Sequence, residues 1–181
     1  MFEELQMVLR CCERLVEELA PAEGEPDAVR VEGLWTTALL SYGRCFTAGT
    51  AGVGLTEADL TEAQPNGDVV EWHRILLQLR DHQADPVDNP RERFSVGVTQ
   101  DDETRAATGV AITSTRQPLV DDLTVRQTGA IAYALSALVN ARIETLQETV
   151  FEELKSLTKD DLDKLDRLDV APTVEDPASG S

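Results

Sequence analysis

The segment WHRILLQLRDHQADPVDNPRER, residues 72–93, sets both histidines of the chain, His73 and His82, on either side of Arg80, with Asp81 and Asp85 close by. A histidine beside an arginine offers a titratable base and a fixed cation. Cleavage of RNA by attack of its own 2′-hydroxyl uses that combination: the histidine handles the proton and the arginine stabilises the charge of the phosphorane. The same residues have a plainer reading. A helix C-terminus presents carbonyls without partners, which favour cations such as Arg80 and protonated His82, while Asp81 and Asp85 stay solvated.

The elements that hold these residues follow from spacing. Steps of three and four along WHRILLQLR bring His73, Leu76, Leu77 and Arg80 to one side of a helix, so His73 and Arg80 face the same neighbour. That helix starts after NGD at 66–68, turns Val69, Trp72, Leu76 and Leu79 inward, and stops before Pro86 and Pro90. Beyond it Phe94, Val96 and Val98 alternate, QDDET makes a polar turn, and Val110 and Ile112 alternate again, which predicts a two-stranded hairpin.

On the N-terminal side, Phe2, Leu5, Leu9, Cys12, Val16 and Leu19 mark an amphipathic helix over 2–19. PAEGEPD ends it, and a second helix fits 28–47, with Leu34, Ala38, Leu39, Tyr42 and Phe46 on one face. AGTAGVG then reads as a connection. A phosphate cradle would need a strand before it and a Lys within it, and it has neither. Thr56 with Asp59 resembles a capping box that opens a short helix. The longest helix is predicted over 122–157, with Leu123, Ala130, Ala134, Ala137, Leu138, Ala141 and Leu146 as its buried stripe. At 1.5 Å per residue it would be roughly 50 Å long. That exceeds what one domain needs, so its far half is expected to pack against a second copy. Thr158 with Asp161 opens a last short helix carrying Leu162, Leu165 and Leu168, and APTVEDPASGS has the composition of a disordered tail.

Composition limits the function classes. The 181 residues suffice for one domain with a sizeable core. Aromatics make up only 4% of them, so Leu, Val and Ala must fill that core, as in packed helices. A net charge of −18 repels nucleic acid, whose binding relies on Lys and Arg displacing counterions. Cys11, Cys12 and Cys45 lack the count and spacing of a disulfide framework or zinc site. MFEELQMVLRCC carries acids where a signal peptide has basic residues, and no apolar run reaches the ~18 residues that span a bilayer. A cytoplasmic protein with no cofactor, no metal, no DNA partner and no membrane partner is therefore expected. The carboxylates of EADL and QDDE lack the spacing of a calcium loop, and two histidines this close together give no Ser-His-Asp arrangement.

The order of elements resembles the HEPN superfamily, many of whose members are RNA-cleaving components of toxin–antitoxin and phage-defence systems. Its signature is an arginine followed by a polar residue, with a histidine four to six intervening residues later. LRDHQADPVDNPRERFSVGV is similar to a subgroup of small bacterial proteins carrying L-R-D-K-H-x-A-H-S-V-N-x-F-E before a hairpin. Leu79, Arg80 and Asp81 match the start of that pattern. His82 and Ala84 match its middle if one residue is deleted. Val87, Asn89 and Glu92 match its end, and Phe94 to Val98 would be the first strand. The departure is at Asp85, which aligns with the family's second histidine; His73 lies on the wrong side of Arg80.

The expected fold is mainly α: an antiparallel bundle of four to five helices with one inserted β-hairpin. Residues 1–157 would form the HEPN-like domain, with the hairpin at about 93–114, a short helix at 158–169 and an acidic disordered tail at 170–181. The resemblance implies a homodimer with a composite site across its interface. With Asp85 in place of histidine, the first functional expectation is a non-catalytic protein acting through protein–protein contacts. A metal-independent ribonuclease would use Arg80 with His82 or Asp85, His73 being a neighbour, and only then would RNA be a partner. A third reading is an acidic inhibitor of a nucleic-acid-binding protein.

Overall fold

The computed structural model describes residues 1–165 except 22, 49–53, 66, 86 and 88–90. The described residues form α1 (Phe2–Leu19), α2 (Ala28–Cys45), α3 (Glu57–Ala63), α4 (Val69–Ala84), β1 (Glu92–Gln100), β2 (Ala107–Arg116), α5 (Asp122–Lys155) and α6 (Lys159–Leu162). This is the mainly α fold with one inserted hairpin that the periodicities predict. Residues 1–141 make one compact unit, and the chain from Arg142 onward makes a second. The glycine loop at 49–53, Asn66, Pro86, Asn89, Pro90, Leu168 and the tail at 170–181 lie outside the described residues.

Local chemistry explains where the helices begin. The Asp27 carboxylate accepts from the backbone N–H groups of Val29 and Arg30, which otherwise lack partners in the first turn of α2. The capping box of α3 is present: the Thr56 N–H donates to Asp59 Oδ2 at 2.6 Å. At α6 the Asp161 N–H donates to Thr158 Oγ1 at 3.3 Å, and the hydroxyl donates to Asp161 Oδ2 at 2.6 Å.

In the first unit α1 packs on α2, α2 on α4 and α3 on α4. Leu5, Leu15, Leu39, Tyr42, Leu60, Leu76 and Leu135 are among the large side chains fully enclosed there. The buried face of α1 is centred on Leu5, Val8, Cys11, Cys12 and Leu15, with Phe2, Leu9, Val16 and Leu19 at its margin. On α4, His73 takes an interior place, while Trp72 and Leu79 are only half-buried.

α5 departs most from its predicted face. Its interior stripe is Val125, Thr128, Ile131, Ala132, Leu135, Ser136 and Val139. Leu123 is 64% exposed and Leu146 63% exposed, and Ala130, Ala137 and Ala141 face outward. The reason is one of size: alanine gives up little apolar area on burial, so the face with Val125, Ile131, Leu135 and Val139 turns inward. Gly129 remains at a close approach to α1, where a Cβ would stand 3.4 Å from Cys12 Cβ. Close by, Gln6 Nε2 donates to Ser136 Oγ at 3.0 Å.

β1 and β2 pair antiparallel, with Val96 opposite Ile112 and Val98 opposite Val110. Asp101 anchors the turn by accepting from the N–H groups of Glu103 and Thr104, and Arg105 closes it at φ 58°. The register puts Phe94, Val96, Val98, Val110 and Ile112 on one face, with Ser95, Gly97, Thr99, Gly109, Ala111 and Thr113 on the other. Only Glu92 and Ala111 are sheltered; the five large apolar side chains are 58–70% exposed.

In the second unit the far half of α5 carries Ile143, Leu146, Val150, Phe151 and Leu154 along an apolar depression. No described helix is long and apolar enough to cross a membrane.

Candidate functional site on the α2–α4 contact

α4 delivers His73 and Arg80 to the same neighbour, α2, because seven residues are close to two full helical turns. His73 is 4% exposed, and its Nδ1 is hydrogen-bonded at 3.0 Å to the hydroxyl of Tyr42. The Phe46 ring covers the imidazole, with centroids 4.2 Å apart. Tyr42 and Phe46 come together because they are four residues apart at the end of α2, with ring centroids 5.0 Å apart. Burial holds the His73 imidazole below its ordinary pKa, and it pushes the Tyr42 phenol far above its own. Both groups are therefore neutral near pH 7, and this histidine is a satisfied interior side chain.

Two turns on, Arg80 lies across Gly43. A Cβ at position 43 would stand 2.6 Å from Arg80 Cδ and 2.7 Å from Nη1, so the glycine makes room for the guanidinium stem. The guanidinium donates to Asp81 Oδ1 from Nε at 2.9 Å and from Nη2 at 2.6 Å. Its charge is thus met by the adjacent carboxylate, and the side chain is 28% exposed.

His82 and Asp85 go elsewhere. Both are exposed at the C-terminal end of α4. Asp85 is the C-cap residue, and its Oδ1 accepts from the Val87 N–H at 2.8 Å, so it shapes the turn that leaves the helix. The structure brings His73 and Arg80 to one contact and leaves His82 and Asp85 outside it. The position aligned with the second histidine of the HEPN pattern is occupied by a turn-forming carboxylate.

Tyr42 and Phe46, expected only as part of an apolar face of the second helix, and Gly43, not singled out from the sequence, complete this contact. The available signals were the Tyr42–Phe46 spacing and a glycine inside a helical pattern, which marks a close approach. α3 is tied to α4 by Arg74, which donates from Nε and Nη2 to the two oxygens of Glu57, each at 3.1 Å. That pairing holds the Glu57 carboxyl below its ordinary pKa. The three cysteines are buried thiols; burial pushes Cys12 up to about 12 and Cys45 up to about 11, which suppresses the reactive thiolate. Among the described residues no His, Cys, Asp and Glu side chains cluster as metal ligands. No family model matches the chain, and neither a curated protein nor a solved structure is similar to it.

Proposed function

We propose that this chain is a non-catalytic HEPN-like helical protein that works through protein–protein contacts, first of all with a second copy of itself. The observation that carries this reading is the apolar face of the hairpin, Phe94, Val96, Val98, Val110 and Ile112, exposed on strands of nine and ten residues. A lone two-stranded hairpin is marginally stable in water, and contiguous exposed apolar surface of this kind marks an interaction site. A second copy suits the charge. Two chains of −18 repel each other, yet the strands themselves carry Arg93 and Arg116 against Glu92, so repulsion is weakest there. The apolar strip on the far half of α5 offers further surface. The occupied states of His73 and Arg80 support the non-catalytic part: one is enclosed and neutral, the other is paired with Asp81.

The test has two arms. Light scattering behind size exclusion is expected to give a dimer for the native chain and a monomer for Val96→Lys with Ile112→Lys, helical circular dichroism being retained. A native chain that stays monomeric at about 100 μM, well above the Kd of a standard-sized interface, would sink the homodimer. In the second arm, pure protein is incubated with total RNA beside Arg80→Ala. Cleavage lost in that variant would overturn the non-catalytic reading.

A further inference from the structure

We propose that the apolar face of the hairpin docks on the far half of α5 of a second copy, so that each chain of the homodimer lends its hairpin to the other's helix. This inference rests on the homodimer reading and names the two surfaces that meet. Each chain carries two apolar faces that it leaves open. On the hairpin, Phe94, Val96, Val98, Val110 and Ile112 are 58–70% exposed. On α5, Ile143, Leu146, Val150 and Phe151 are 40–63% exposed, and with Gln147 and Leu154 they line an open depression of about 420 Å³. That strip continues the stripe buried in the first unit. Val125, Thr128, Ala132, Leu135 and Val139 are followed, at steps of three and four, by Ile143, Leu146, Val150 and Leu154. A helix that keeps one face apolar over such a length does so against a cover along all of it.

Length, shape and charge select the hairpin of the second copy as that cover. At about 3.3 Å per residue the apolar row from Phe94 to Val98 is about 13 Å long. At 1.5 Å per residue the strip from Ile143 to Leu154 is about 17 Å long, so the row fits along it. Side chains standing out from a sheet fill a depression, whereas two depressions set face to face enclose a void and forfeit contacts. The charges point the same way. Between residues 142 and 155, Glu144, Glu148, Glu152 and Glu153 stand against Arg142 and Lys155, a net charge of −2. Glu144 and Glu148 flank the strip on the Phe151 side and Glu153 on the Leu146 side, by helical spacing. Two such helices repel each other. The strands carry Arg93 and Arg116 against Glu92, a net charge of +1, and the hairpin's other acids, Asp101, Asp102 and Glu103, are confined to its turn. Hairpin on helix therefore brings opposite charges together, and neither hairpin on hairpin nor helix on helix does. Packing on a helix also gives a two-stranded sheet the support it lacks alone.

The test is complementation between two variants of the full chain, followed by light scattering behind size exclusion. The hairpin variant is Val96→Lys with Ile112→Lys, and the strip variant is Leu146→Lys with Val150→Lys. All four side chains are exposed, so the fold is retained, and thermal midpoints check this. The lysines make the net charge less negative, so lost association cannot come from greater overall repulsion. Each variant alone is expected to be a monomer. An equimolar mixture is expected to form a heterodimer, because the hairpin of the strip variant and the α5 strip of the hairpin variant are both intact. With one contact in place of two its Kd should be about tenfold weaker than the native one, so the variants are measured at up to about 1 mM. A strip variant that stays dimeric would assign the contact to hairpin on hairpin, and a dimeric hairpin variant would assign it to helix on helix. A mixture that stays monomeric would mean that like meets like on both faces. Each of these three results overturns the inference and leaves the homodimer standing, whereas a monomeric native chain overturns both.

Discussion

His73 and Arg80 share a face of α4, yet their environments make them different chemical objects. His73 is enclosed by Tyr42 and Phe46, so charging it means placing a cation where water cannot reach. Its folded-state pKa lies below the ordinary value of 6.5, so on acidification the unfolded chain takes up the proton first. The contribution of this residue to stability is complete above about pH 6.5 and is lost as pH falls from there through the depressed folded pKa. The urea midpoint is therefore expected to drop between pH 7.5 and pH 5.5 in the native chain. The drop should be smaller in His73→Phe, whose base stability is lower because the Tyr42 hydroxyl loses its partner. An equal drop in both proteins would remove His73 as the cause. At Arg80 the sequence singled out the residue, but Asp81 and Gly43 decide its state. One is its sequence neighbour and the other belongs to α2, which no spacing within WHRILLQLR could indicate.

Among the elements, α5 separates what a helical pattern contains from what it leaves open. Its existence and length follow from periodicity and the absence of proline, and the observed Asp122–Lys155 ends two residues short of the predicted 157. Its orientation does not follow, because both faces carry apolar residues and the choice depends on what α5 meets. The consequence is measurable. Leu135→Ala is expected to cost about 2–5 kcal/mol, the usual range for an enclosed leucine, since Leu135 is fully buried. Leu123→Ala should cost less than about 1 kcal/mol, as at other exposed sites. Chemical denaturation of the two variants checks the assignment, and equal losses would put the interior stripe where the alanines are. For the hairpin, the alternation of faces was legible from Phe94 to Ile112 because the side-chain period of a strand is fixed at two, whereas the register that sets Val96 opposite Ile112 came from the structure.

For the whole molecule, the charge of −18 is the property that bears most directly on partners. Arginines spread singly along the chain and mostly paired with carboxylates do not form the positive surface that phosphates require. Fluorescence anisotropy with a labelled single-stranded RNA at about 150 mM salt, where phosphate contacts are well screened, is expected to show no saturable binding up to about 100 μM, the weak end of ordinary non-specific association. Micromolar binding there would require a focused cationic site and would return RNA to the list of partners.

Composition, periodicity and capping residues determined by themselves that the chain is mainly helical, that a hairpin interrupts it, and that Thr56, Asp68 and Thr158 stand at helix starts. These are short-range matters, set within a few residues by backbone hydrogen bonding and side-chain spacing. Tertiary structure alone decided which face of α5 is buried, that His73 pairs with Tyr42, and that Gly43 receives Arg80. Each of these depends on groups far apart in the chain, whose meeting is fixed by the packing of whole helices and not by any local preference.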